Sequence, residues 1–490
     1  MIKPGLERVQ ELANAYSIVP VCREIYADII TPITLLRKIA GISRRCFLLE
    51  SVEGGEKWGR YSFLGFDPVM RVFCKDGKVT LEQDGRQEVR TTDQPLDVLR
   101  EIQAGYRAPK LPEMPPFSGG FVGYFAYAMI GYAEPKLKIK RGVSNDFDLM
   151  LFDRVIAYDH LKQKICLIAN VRTDRADRVA ENHARAAEEL DRLAAMIRDI
   201  RPLPQLKSQR NVEFVSNVSR KDYGELVERT KAYIRAGDIF QAVISRQFTA
   251  PYEGSLINAY RVLRMTNPSP YMVYLCIDDN EIMSTSPETL VRLQNGRLTT
   301  FPVAGSRPRG RTEEEDLQLE KELLADEKEL SEHNMLVDLG RNDLGRISRF
   351  SSVEVREYMM IHRYSRIMHI CSQVESDILP ERDGCSAIEA VLPAGTLSGA
   401  PKIRACEIIE EMEKEPRGIY GGALGYLDFT GNMDTCIAIR MAVKQGGRVY
   451  VQAGGGIVAD SLPDNEYDES AHKALAVMKA VQEAGEVDEG

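Results

Sequence analysis

Residues 281–307, EIMSTSPETLVRLQNGRLTTFPVAGSR, decide the fold class. Two β-rich runs flank Asn295-Gly296, and both central residues of a tight two-residue turn need positive φ, which Asn and Gly supply. The stretch is therefore read as a hairpin, and a hairpin is antiparallel by construction. A turn at 295–296 pairs Glu288 with Val303, beside Ala304-Gly305-Ser306. Pro287 and Pro302 lack an N–H, so regular pairing is expected to end there and the chain to open at the hairpin mouth. A carboxyl buried beside that Gly-Ser turn would be a general acid. The plainer reading is a solvated Glu at a strand end, and the hairpin alone favours it.

The same signals recur outward. RVIAYDHLKQKICLIANV (154–171) reads as two strands about a polar turn, and CFLLESV, RYSFLGF and GKVTLEQDG as short strands. Residues 176–200 form a charged amphipathic helix with Val179, Leu190, Leu193, Ile197 and Ile200 on its apolar side. It stops at Arg201-Pro202-Leu203-Pro204, and a weakly patterned polar stretch runs from there to Ser216. This divides the chain into an N-terminal region, 1–205, and a second unit, 215–484. The second unit opens with a helix at 220–236, capped by Ser219, stopped at Gly237 and followed by strand IFQAVISRQF. Helices interleave with hairpins, so the expected class is α+β with antiparallel sheets.

The 490 residues carry 64 Lys and Arg against 73 Asp and Glu, a net charge of −9. An acidic chain without a basic stripe argues against nucleic-acid binding, and an anionic substrate would need a locally positive pocket. Nine widely spaced Cys without a C-x-x-C argue against a disulfide framework or a zinc site and for a reducing, cytoplasmic setting. The N-terminus lacks a signal-peptide core. Residues 114–133 carry no charged side chain, but their prolines, glycines and aromatics read as buried sheet and turn, not a membrane helix.

Several residues are candidates for chemistry. In DEKELSEHNMLVDLGRND (326–343), Glu332 shares a helix face with Met335, Leu336 and Leu339. An unpaired carboxylate in an apolar stripe is costly, so Glu332 should meet a metal, a cation or a hydrogen-bond donor. Glu469, in a helix at 466–484 with Tyr467, Ala471, Ala474, Leu475, Met478 and Val481 as its apolar stripe, lies opposite that stripe and reads as a solvated first-turn Glu. Gly395-Thr396-Leu397-Ser398-Gly399-Ala400-Pro401-Lys402 reads as a tight loop entering a helix with Pro401 first, where N–H groups and Lys402 would receive an anion. Gly454, Gly455 and Gly456 let a backbone approach a ligand closely. Both glycine segments read equally as ordinary punctuation. His369 defaults to a satisfied histidine, and Arg440, amid apolar residues, should pair with an acid of protein or ligand.

Taken together, PVAGSRPRGR (302–311), KELSEHNMLVDLGRND (328–343), GTLSGAPK (395–402), IYGGALGY (419–426), DTCIAIR (434–440) and QAGGGIVADS (452–461) resemble the chorismate-utilising enzyme family, in its order. LLES (48–51) and RYSFLGFDP (60–68) extend the resemblance into the N-terminal half. The resemblance implies layered antiparallel sheets flanked by helices. It implies Mg²⁺ held by Glu332 and Glu469, against the pattern reading of Glu469. It implies chorismate held by Gly305, Ser306, Tyr420, Arg440 and Gly454 to Gly456, with Thr396 and Lys402 beside it, Glu288 as general acid and His369 as catalytic histidine. Ser306 stands where the family usually has Thr, and keeps the hydroxyl.

Ala304 and Gln241 occupy positions where sibling enzymes carry a lysine nucleophile or base, so attack is left to ammonia, as in anthranilate synthase large subunits. That type implies ammonia from a separate glutamine amidotransferase partner, since the stretch after the final motif is expected to leave no room for a fused one. It also implies feedback inhibition by tryptophan bound between Ser51 and Pro270-Tyr271-Met272. The competing readings are an aminodeoxychorismate synthase and a non-catalytic tryptophan sensor.

Overall fold

The structure is a computed structural model that describes residues 2–51, 59–199, 201–203, 205–364 and 367–487. Two antiparallel sheets of twelve strands each organise them. The first runs in the order Ile18–Tyr26, Lys164–Arg172, Arg154–Asp159, Tyr61–Phe66, Arg45–Glu50, Tyr271–Ile277, Asn280–Ser286, Met441–Gln445, Arg448–Ile457, Gln241–Pro251 and Val215–Ser216, with Gly399–Ala400 added beside Gln241–Pro251. The second runs Val303–Pro308, Ile367–Asp377, Arg297–Thr300, Thr289–Gln294, Met433–Ile437, Ala423–Asp428, Gly120–Phe125, Phe147–Phe152, Met70–Lys75, Lys78–Gln83 and Arg86–Thr91, with Glu354–Arg363 on the free side of Ile367–Asp377. The α+β expectation is met, and so is the buried reading of 114–133, whose strand Gly120–Phe125 is wholly buried.

The deciding hairpin has the expected register. Gln294 pairs with Arg297 and Arg292 with Thr299, and Asn295 and Gly296 take φ of 55° and 80°. Pairing stops where the prolines stop it, for a reason periodicity did not reveal. The run 280–294 is one strand in each sheet: Asn280–Ser286 belongs to the first and Thr289–Gln294 to the second. Pro287-Glu288 is the crossover. A second crossover lies at 438–440, between Met433–Ile437 in the second sheet and Met441–Gln445 in the first. The two are stitched together, since the Ile437 N–H donates to the Glu288 carbonyl and the Thr285 N–H to the Arg440 carbonyl.

Helices close the faces. Arg220–Arg235 is capped as expected, the Ser219 side chain accepting from the Asp222 N–H, an arrangement worth about 1 kcal/mol. Gly237 follows it at φ 84°. Val179–Arg198 buries Val179, Leu190, Leu193 and Ile197; Ile200 lies outside the described residues. In Pro463–Glu483 the buried face is Glu466, Ser470, Ala474, Val477, Ala480 and Val481. The expected stripe is therefore displaced, and Leu475 is 39% exposed.

The polar stretch 205–215 separates the halves in sequence only. Strand Arg45–Glu50 pairs with Tyr271–Ile277, and Gly120–Phe125 with Ala423–Asp428, so both sheets run through both halves. Among the described residues no helix is long and apolar enough to cross a membrane.

Candidate active site

The crossovers bring together residues 152 positions apart in the chain, Glu288 and Arg440. Glu288 is buried at 6% exposure, and burial pushes its carboxyl up to about 8, against an ordinary 4.5. The Thr396 hydroxyl donates to its Oε1 at 2.9 Å, and the Val303 amide and the Arg440 charge also favour the ionised form, while the Glu332 charge opposes it. The Glu288–Val303 juxtaposition read from the hairpin is thus present. Desolvation outweighs all three stabilising contacts, so Glu288 is mostly protonated at neutral pH. Arg440 sits at φ 45°, half-buried, and desolvation of its guanidinium lowers its pKa. Among the described residues the guanidinium has no hydrogen-bond partner, so it retains its donors for an anion.

His369 lies on strand Ile367–Asp377 opposite Ser306. Its Nδ1 is 2.9 Å from the Gly305 carbonyl, and a carbonyl only accepts, so Nδ1 carries the proton and Nε2 the lone pair. Burial pushes the imidazole down to about 4, leaving it neutral across the working range. Gly305 makes this possible: it occupies a bulge between Ala304 and Ser306 at φ 66°, a conformation that presents its carbonyl to the ring. Ser306 itself is exposed.

The glycine-rich strand lines another wall. Gly454, Gly455 and Gly456 pair with Ser245, Ile244 and Val243. A Cβ at Gly455 would lie 2.6 Å from Glu466 Oε2, and one at Gly456 would lie 2.2 Å from Gln241 Nε2, so the glycines leave room for these side-chain ends where they sit. Tyr420 is buried with its hydroxyl at the Gly454 amide.

Four carboxylates come from two helix beginnings. Glu329 and Glu332 belong to Glu327–Gly345, Glu466 and Glu469 to Pro463–Glu483. Glu329 lies against Gly305, and its carboxyl is raised by burial and by the Glu332 charge. Glu332 has no ion pair among the described residues. Glu466 is buried, accepts from the Ser461 hydroxyl at 2.7 Å, and is raised by burial and by Glu469 while Lys328 and Lys473 oppose the rise. Lys328 opens the other helix, so the two helix beginnings lie within electrostatic reach of each other. Glu469 is exposed and paired with Lys473 at 2.7 Å, as the pattern reading had it.

Sequence reasoning passed over Glu329 and Glu466. The repeated Glu-x-x-Glu at 329–332 and 466–469 was the signal that could have found them.

Lys402 departs from expectation. Its ammonium is buried on Asp343 at 2.6 Å and on the Val391 carbonyl at 2.9 Å, so it holds the base of its helix and is not available to receive an anion. Pro401 precedes the helix as its cap, and Gly399–Ala400 is a short strand. Thr396, in contrast, reaches Glu288 directly.

Away from these residues, Ser51, Pro270, Tyr271 and Met272 line a cavity of about 460 Å³ between the sheets. Glu50 at its edge is held by Arg264 at 2.6 Å and by Tyr260 at 2.9 Å. Tyr271 donates to Asp434 at 2.8 Å, and Asp434 pairs with Arg292.

The profile of the chorismate binding enzyme family matches residues 44–479. The chain belongs to that family. It is 44% identical over 496 residues to anthranilate synthase component 1 of Acetivibrio thermocellus, covering 99% of this chain and all of that one. It is also 44% identical to the component 1 of Pseudomonas aeruginosa, covering 96% of each. Anthranilate synthase component I of Streptococcus pneumoniae superposes with a TM-score of 0.77 at 37% identity, covering 93% of this chain and 99% of that one. The menaquinone-specific isochorismate synthase of Escherichia coli, at 18% identity and a TM-score of 0.69, shares the fold. This family membership accords with the clustering of Glu288, His369, Thr396 and Arg440 where the two sheets exchange strands.

Proposed function

We propose that this chain is the chorismate-converting component of an anthranilate synthase, joining chorismate and ammonia to give anthranilate, pyruvate and water. The observation that carries the reading is a carboxyl protonated at neutral pH, Glu288, held beside an unpartnered guanidinium, Arg440, and a neutral imidazole with a defined lone pair, His369. That set matches a substrate with two carboxylates and a hydroxyl to expel.

Arg440 and the amides of Gly454 to Gly456 hold the enolpyruvyl carboxylate. Ammonia adds at the ring carbon next to the one bearing the other carboxylate. Glu288 gives its proton to the ring hydroxyl, which leaves as water, and Thr396 keeps the Glu288 carboxyl in place through the 2.9 Å bond. His369 Nε2 takes the ring proton as pyruvate departs and the ring becomes aromatic.

A magnesium ion fits the carboxylates. It favours oxygen ligands and is commonly held by one or two carboxylates, with water and substrate anions completing its shell. Glu332 and Glu469 would hold it, with Glu329 and Glu466 beside them. Among the described residues no three acidic, Cys or His side chains gather into one metal-holding group. The ion would supply electron withdrawal through the ring carboxylate.

Ammonia comes, in this reading, from a glutamine amidotransferase component. The 460 Å³ cavity at Ser51 and Pro270 to Met272 binds tryptophan as an inhibitor. The test is product analysis of the purified chain with chorismate, Mg²⁺ and ammonium. Fluorescent anthranilate with equimolar pyruvate is expected. Accumulation of 4-amino-4-deoxychorismate, or tryptophan binding without turnover, would overturn the assignment.

A further inference from the structure

Cys46 and Cys276 face each other at the seam between the two halves of the sequence. Strands Arg45–Glu50 and Tyr271–Ile277 run antiparallel, with Cys46 directly opposite Cys276. Directly opposed residues share a sheet face and hold their Cα atoms roughly 4.5–5.5 Å apart, inside the roughly 4.4–6.8 Å range of disulfides. Both side chains pack on the same apolar cluster, Cys46 fully buried and Cys276 partly exposed. The Cys276 thiol donates to the Arg44 carbonyl at 3.3 Å. The Cys46 thiol is pushed well above the ordinary thiol range, first by its hydrogen bond with Cys276 and then by burial, so Cys46 keeps its proton until its neighbour has reacted. The other neighbouring pair is less favourable: Cys22 stands opposite Ile168 and Cys166 opposite Glu24, an offset of two, and both thiols are buried.

We propose that Cys46 and Cys276 are a peroxide-responsive dithiol whose oxidation covalently ties the N-terminal half to the C-terminal half across this strand pair. The Cys276 sulfur, as thiolate, attacks one oxygen of hydrogen peroxide. The O–O bond breaks, the departing hydroxide takes a proton to become water, and Cys276 is left as a sulfenic acid. The Cys46 sulfur then displaces that hydroxyl, its own proton leaving with it as a second water. Two thiols are oxidised by two electrons and one peroxide is reduced to two waters. The tie falls on the ladder that continues to Met272 opposite Glu50, away from the Glu288 centre.

The experiment treats the full-length reduced protein with one equivalent of hydrogen peroxide, then counts thiols and maps peptides by mass. Two of the nine thiols are expected to disappear, with the Cys46 and Cys276 peptides joined and the mass lower by two hydrogens. Dithiothreitol should restore both thiols, and Cys276→Ser should abolish the link. The wild-type peptide map decides the matter even if that variant folds poorly. Cys276 converted to sulfinic or sulfonic acid without a link, joining at Cys22 and Cys166 instead, or persistence of all nine thiols would overturn the proposal.

Discussion

Glu288→Gln keeps the shape of the side chain and removes only its ability to lose or give a proton, so its effect can be worked out from the site. With the carboxyl pushed up to about 8, Glu288 is roughly nine-tenths protonated at pH 7 and one-tenth at pH 9. A reaction that needs the protonated form should show kcat/KM, expressed per free ammonia, falling about tenfold between those values. The Gln variant should lose about 10²–10⁴-fold at pH 7 and show no such alkaline limb, whatever activity remains. The same proton sets a stability slope. Because the folded pKa lies above the ordinary 4.5, the folded chain keeps a proton that the unfolded chain releases. Stability from this group is therefore fully present below 4.5, falls as pH rises towards 8 and levels off beyond. Between pH 5 and 7 the wild type should lose about 2–3 kcal/mol through this group alone, and Glu288→Gln should lack that loss. Anthranilate fluorescence across pH and chemical denaturation at the two pH values measure both effects. A variant within a few-fold of wild-type turnover, or a wild-type profile flat to pH 9, would refute the acid role.

Other perturbations separate the remaining assignments. Glu332→Gln is expected to abolish turnover with the fold intact by circular dichroism; near-normal rates at saturating Mg²⁺ would exclude it as a ligand. Lys402→Met leaves Asp343 buried without its cation and should cost about 3–5 kcal/mol in denaturant, much of it recovered by adding Asp343→Asn. If Lys402 instead acted on substrate, the double variant would regain stability but not activity. Ser51→Phe fills part of the 460 Å³ cavity and should raise the tryptophan concentration for half-inhibition at least tenfold without loss of catalysis, read from inhibition curves with ammonium as nitrogen source.

The linear pattern was sufficient wherever the cause was local. Asn295-Gly296 set the turn, its register put Val303 at Glu288, and Ser219 capped its helix, because each depends on backbone geometry within a few residues. The C-terminal helix was legible as a helix, but which face it buries was not. Glu466 turned inward because Gly455 leaves room for its carboxylate, a fact about another strand. Lys402 was misread for the same kind of reason, its partner Asp343 lying 59 residues away.

What the sequence by itself determined is the menu of elements, their turns and caps, and the family to which their motifs belong. Tertiary structure alone decided that residues 287–288 and 438–440 are the places where the chain passes from one sheet to the other. There hydrogen-bond ladders end, so side chains and backbone donors that would otherwise be spent on pairing turn toward a shared interior. Strand periodicity says which residues share a face of one strand, but not which of two dozen strands will be its neighbour. Desolvation follows from that choice of neighbours, and desolvation is what protonates Glu288, neutralises His369 and leaves Arg440 with its donors unspent.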